Sequence, residues 1–333
     1  MPAHRYARVA GNRWPMTVVP APGELLSSWL HRLAHANGVP PRYFGGLLGA
    51  QGGNWSARLD RGLPDYVLQL LHDRTQVPLD DIAGLTVTPD PLIRLRLPLH
   101  STRRKSNALA FQTAWLQFCP ACLNEDEAPY FRRGWSLATR LSCFHHGCRL
   151  RDRCPSCGNG LAPFRQGQLV PQQFCAFCGS HLGKRTSHSS PGVRRLERLI
   201  DDLLRLYSAG HQWPGRGSLP DLLAAAHFPA RAGTEPITQL SHRDRYGLFR
   251  RLTEEAFPLT EGRASSAVRC WTRIAQAALD HRGLVTMLTE TLVTRKRPER
   301  GTSVATPGLI DLVQAAAHLQ AKRLTRLHAL TAS

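Results

Sequence analysis

Apolar residues recur at helical spacing from the start of the chain. Leu25, Leu26, Trp29, Leu30 and Leu33 form one stripe between Glu24 and Asn37, and Gly38 follows as a stop signal, so a first helix is expected there. Pro40 and Pro41 then open a shorter helix, Arg42 to Leu48. The plan returns at Pro64 to Gln76, with Tyr66, Val67, Leu70 and Leu71 on one face, a turn at Val77 and Pro78, and a short helix from Leu79 to Leu85. Two helical pairs joined by tight turns predict a helix-turn-helix arrangement. Ahead of them, residues 1–22 are polar and proline-marked, an extended arm expected to pack through Trp14 and Pro15. Beyond them, Leu92, Ile93, Leu95, Leu97 and Leu99 alternate with Arg94, Arg96 and Pro98, the period of a short extended segment.

The second half of the chain is also helical in pattern. Thr186 to Pro191 (TSHSSP) reads as a linker, after which Leu196, Leu199, Ile200, Leu203, Leu204 and Tyr207 share one stripe over 193–207. Ser218 with Asp221 three places on opens a helix expected to run through Phe228. Further helices are expected at about 241–257, 265–282, 284–293 and 307–330, the last with Thr306 as cap and Pro307 in first position.

Between these halves lies a different signal. Cys119-x2-Cys122 is followed after 20 residues by Cys143-x2-His146; seven residues later come Cys154-x2-Cys157, then 17 residues and Cys175-x2-Cys178. A two-residue gap lets a tight turn bring two side chains onto one tetrahedral ion, and two such knuckles complete four ligands. Four pairs in series therefore predict two Zn2+ ions, each saturated and structural, with no position left for water or substrate. Sequential pairing is the simplest arrangement, although an interleaved cross-brace uses the same residues. The recurrent spacing selects His146 over its neighbour His145, and leaves Cys148 and Cys270 as small buried hydrophobes. Eight of the nine cysteines fall within sixty residues, a clustering that reads as metal binding rather than disulfides in a reducing, cytoplasmic compartment. No run approaches the roughly 18 apolar residues of a membrane span, and the N-terminus shows no signal-peptide core.

The fold class that follows is mostly α with small zinc-ribbon β elements. It comprises an N-terminal helix-turn-helix domain (1–112), a tandem zinc-binding module (113–186) and a C-terminal helical domain (187–333).

Charge adds a class of partner. The formal net charge is +19, distributed as +6, +5 and +8 over residues 1–118, 119–186 and 187–333. An excess of this size points to an anionic partner, above all nucleic acid. Two facts temper it: 39 of the 43 basic residues are Arg, an imprint of base composition, and seven thiolates around two Zn2+ ions would bring the bound form near ~+16. Candidate contacts with nucleic acid or an acidic partner are Arg42 and the clusters Arg103, Arg104, Lys105 and Arg295, Lys296, Arg297.

With these residues in view, the chain resembles the TniQ family of transposition proteins, which includes the longer TnsD-type target selectors. Trp14-Pro15, then Pro20, Pro22, Gly23, Glu24 and Ser27-Ser28-Trp29-Leu30-His31-Arg32-Leu33-Ala34, is similar to the family's opening run. Phe118-Cys119-Pro120-Ala121-Cys122-Leu123, Tyr130, Arg132, Trp135, Leu137, Cys143-Phe144-His145-His146-Gly147-Cys148-Arg149-Leu150 and Cys154-Pro155-Ser156-Cys157 resemble its central order. Two departures stand out: Cys148 occupies a position that is commonly aliphatic, and Leu25 follows Glu24 where Ser is expected. The resemblance implies a non-catalytic adaptor for target-site selection. It would link a target recogniser, either a DNA site or a CRISPR RNA-guided ribonucleoprotein complex, to the AAA+ ATPase that recruits the transposase. A homodimer is compatible with all of this. Agreeing with a non-catalytic role, the chain shows no phosphate-binding loop and no nucleophile paired with a base. The competing class is a zinc-containing, sequence-specific transcription regulator. Gene neighbourhood separates the two, since only the adaptor requires a transposase and an AAA+ ATPase nearby.

Overall fold

Leu26, Trp29, Leu30 and Leu33 are wholly buried on helix α1 (Leu26–Ala36), which ends where Gly38 takes a φ of +70°. The computed structural model describes residues 12–49, 56–87, 91–99, 114–184, 187–230, 233–254 and 265–294. Within these, α2 (Pro41–Leu47) follows α1 across Asn37–Pro40, and α3 (Asp65–Thr75) is followed by α4 (Leu79–Ala83). The stripes of α1 and α3 meet Phe44 and Ile82 in a first hydrophobic cluster. The arm joins it through Trp14, whose ring lies 4.9 Å from that of Phe44; Pro15, expected to pack beside it, is exposed.

The alternating run after Pro91 is only partly extended. Ile93–Leu95 form a 3-10 turn, and extended backbone begins at Arg96, which pairs with Leu137. The reason is tertiary: Leu97 N–H donates to Ser136 O and Ala138 N–H to Leu95 O, so Leu95 and Leu97 must both turn inward.

The cysteine-rich stretch contains α5 (Pro120–Glu125) and, in place of ribbon strands, isolated antiparallel bridges: Phe118 with Arg151, Ser142 with Arg149, Arg153 with Gly160 and Phe174 with His181. A second cluster surrounds it, with Trp115, Phe118, Leu123, Phe131, Trp135, Leu150 and Phe164. The expected linker is tied down. His188 bridges to Cys148, Arg149 N–H donates to Ser187 O, and Ser189 N–H donates to Gly147 O.

Ser190 then caps α6 (Pro191–Ser208), accepting from Val193 N–H. Helix α7 (Leu219–Ala225) stops short of Phe228, because the chain turns extended at Ala226 into a two-stranded antiparallel hairpin, β1 (His227–Ala230) and β2 (Gly233–Pro236). Phe228 is thereby delivered edge-on to Trp271, 5.4 Å away. Helices α8 (His242–Glu254), α9 (Ser266–Leu279) and α10 (His281–Val293) complete the third cluster, where α6 meets Phe249, Trp271 and Ile274. The break between α9 and α10 falls at Asp280, whose carboxylate accepts from Arg282 and Gly283 N–H. The expected helix at 307–330 and the clusters Arg103–Lys105 and Arg295–Arg297 lie outside the described residues. Among the described residues, no helix is long and apolar enough to cross a membrane.

Candidate metal centres

The eight residues chosen by spacing gather into two groups in chain order. Cys119, Cys122, Cys143 and His146 form one and Cys154, Cys157, Cys175 and Cys178 the other, each with its donor atoms within 4.8 Å of one another.

Local geometry explains the convergence. Cys119 caps the N-terminus of α5, and the first turn of that helix brings Cys122 back, its N–H donating to Cys119 Sγ at 3.4 Å. The other three knuckles share a second design, in which the residue after the second donor is glycine in the left-handed region: Gly147, Gly158 and Gly179, with φ of 61°, 70° and 69°. In each, the glycine N–H returns to the carbonyl of the first cysteine, and that cysteine's own N–H donates to the carbonyl five residues on, in Cys148, Asn159 and Ser180.

The donor spacing fits a tetrahedral ion. Arms of about 2.3 Å to sulfur and ~2.05 Å to nitrogen imply edges of about 3.8 Å between sulfurs and ~3.6 Å from sulfur to nitrogen. The separations are 3.6 Å for Cys122–Cys143, 3.7 Å for Cys154–Cys178 and for Cys157–Cys175, and 3.3 to 3.5 Å from the three thiols to His146 Nδ1. His146 Nε2 lies 2.7 Å from Glu125 Oε2, which places the proton there and frees Nδ1 for a metal. Backbone and side-chain donors support the sulfurs as thiolates. Ser156 and Phe177 N–H face Cys154 and Cys175, Asn159 Nδ2 donates to Cys157 Sγ at 3.2 Å, and hydrogen bonding from Ser180 draws the Cys178 thiol down to about 6. Both sets could hold a metal ion, and their soft donors are consistent with zinc.

The two centres are fastened to different helical clusters. Beneath the first, fully buried Glu197 of α6 accepts from Leu141 N–H, Ser142 N–H and the Ser142 hydroxyl. Burial pushes its carboxyl up, and these hydrogen bonds oppose that rise. Arg140 pairs with Asp201 on the same helix, and buried Arg245 of α8 donates to Ala138 O at 2.9 Å. The second centre faces the other way, since the chain between its two knuckles lies on α1 and α2. His31 sits between Pro163 O (3.3 Å) and Val170 O (3.0 Å), and burial lowers its pKa to about 4 against the pull of those carbonyls. Gln172 Nε2 donates to Ser28 O and Oγ and to Pro129 O, while Arg42 N–H donates to Gln166 O.

The Arg42 side chain is exposed on α2, as is that of His145 beside the first centre. Cys270 is buried on α9. Cys148 is buried too, yet it is more than a small hydrophobe, because its Sγ lies 3.4 Å from Cys119 Sγ. Spacing missed Glu125, Asn159, Ser180 and Glu197. A glycine at a fixed offset in three knuckles, and a glutamate set within the apolar stripe of α6, were the available signals.

These features define a mostly helical protein built around two four-donor knots that could each hold a metal ion. The TniQ family model matches residues 15–150, a span that holds α1 to α5 and all four donors of the first knot. Over that span, less than half of the chain, the sequence is similar to TniQ-family transposition proteins. No match is found among curated proteins.

Proposed function

We propose that this chain is a non-catalytic adaptor of transposition target selection, stiffened by two structural Zn2+ ions and acting in the cytoplasm. One face engages the target, as DNA or as a guide-RNA ribonucleoprotein complex, and another engages the AAA+ ATPase that recruits the transposase. The observation that carries this reading is the TniQ match, which runs from the N-terminal helices through the whole first metal knot. Four protein donors per ion favour a structural role over Lewis-acid chemistry. For the target face, the helical pair α1–α2 would act as a helix-turn-helix with Arg42 exposed on its second helix, supported by the net charge of +19. The basic clusters at 103–105 and 295–297 belong to the same proposal.

Two experiments test it. A pull-down of the full chain against the AAA+ ATPase of its transposon should retain the ATPase; absence of binding with both proteins folded would overturn the adaptor. Gel shifts at physiological salt then compare a transposon-linked target with random duplex. Preference for the target indicates direct reading of a site, and equal weak binding that falls steeply with salt indicates docking on a separate recogniser.

A further inference from the structure

The residue five places after the first ligand of a glycine-type knuckle faces the metal cluster in all three cases. Asn159 donates to Cys157 Sγ at 3.2 Å, Ser180 hydrogen-bonds Cys178, and Cys148 Sγ lies 3.4 Å from Cys119 Sγ. Only in the first centre is this residue itself a metal-competent donor, so that centre has five donors for four positions. Cys148 touches Cys119 but is not among the four residues whose donor atoms all lie within 4.8 Å of one another, so it lies beside the tetrahedron rather than at one of its corners.

One corner is weaker than the rest. Cys119, Cys122 and Cys143 are buried, whereas the His146 side chain is 24% exposed and its outer nitrogen leans on a Glu125 side chain that is 64% exposed. Cys148, by contrast, is 6% exposed and held in place by the bridge to His188.

We propose that Cys148 is a reserve ligand of the first metal centre. Where His146 is withdrawn, Cys148 would release its thiol proton to solvent, or to the freed imidazole where one is present, and supply the fourth sulfur donor in its place. Cys119, Cys122, Cys143 and Cys148 would then hold the ion as a four-sulfur set. This inference rests on the reading of both clusters as metal centres.

The test is metal content and 113Cd resonance of the full chain, since a four-sulfur cadmium resonates downfield of a three-sulfur, one-nitrogen one. The wild type should bind two ions with one resonance of each kind, and a wild type binding none would refute the metal reading itself. Both His146→Ala and His146→Gln should keep two ions, now with two four-sulfur resonances. Cys148→Ser should match the wild type, and His146→Ala with Cys148→Ser should fall to one ion. The proposal is overturned if both His146 variants lose an ion, if they keep two without a second four-sulfur resonance, or if the double variant keeps two.

Discussion

Ser142, the residue before metal-cluster Cys143, is bound by Glu197 of α6 twice over, its N–H donating to Oε1 at 2.8 Å and its hydroxyl to Oε2. A buried carboxylate thus fixes the base of the first knuckle to the helical bundle.

Removing that carboxylate should be costly. Glu197→Ala strands the N–H groups of Leu141 and Ser142 in a buried site, a loss of about 2–4 kcal/mol. Glu197→Gln, which keeps one acceptor, should lose about half as much. Urea unfolding of the metal-loaded chain measures both, and a Glu197→Ala variant within ~0.5 kcal/mol of wild type would refute the anchoring role.

The metal knots should fail separately. Cys122→Ala and Cys157→Ala should each lower the metal content from two ions to one, but with different patterns of amide exchange. The first should loosen residues 141–150 and the N-terminal turns of α6, and the second should loosen 154–182 and its contacts with α1. Identical exchange maps for the two variants would contradict the separate anchoring through Glu197 and through His31.

Asp60 gives a pH dependence of known sign. Its carboxylate accepts from Ser27 N–H at 2.7 Å in the first turn of α1, and burial raises its pKa to about 7, opposed by Ser27 and by the charge of Arg96. Between about pH 4 and 7 the folded chain therefore holds a proton that the unfolded chain releases. Stability falls as pH rises through that window, by at most about 1.4 kcal/mol per unit. Asp60→Asn should lack this slope. Urea unfolding at pH 5.5 and 7.5, with zinc held constant, should show the wild type losing ground to the variant at the higher pH; a gain would reverse the argument.

The left-handed glycines should not tolerate a side chain. Gly179→Ala should cost about 1–2 kcal/mol for its φ of +69°. Gly147→Ala should cost at least as much, because its new Cβ would also sit 2.6 Å from Arg194 Nη1 and displace that side chain. Asn, which enters this region more readily, should cost less at position 179. Shifts in the urea midpoint decide the order.

The two donor groups that could hold metal were legible in sequence because a chelating turn is local: two donors with two residues between them, followed by glycine in three of the four pairs, carry their geometry with them. The helices were legible for the same reason, since Leu196, Leu199, Ile200 and Leu203 write their face in a 3.6-residue period. What stayed hidden depends on distant partners. His31 meets Val170 across 139 positions and Glu197 meets Ser142 across 55, and nothing in either neighbourhood names the partner. Phe228 read as the end of a helix because it is apolar and near Leu223, whereas Trp271, far along the chain, draws it into a strand.

The return of residues 187–190 onto the first knuckle bears on how such a chain can be rearranged. Ser187, His188 and Ser189 supply backbone partners to Arg149, Cys148 and Gly147, and Ser190 caps the helix that carries Glu197. A cut just before them would remove the neighbour that closes the turn around His146, and the exposed edge would be mistaken for a binding defect. Recombination that exchanges the C-terminal part between relatives, or truncation meant to isolate the front half, therefore has to keep the chain through α6, together with the α8 residues Arg245 and Tyr246 that hold Ala138 and Ser190.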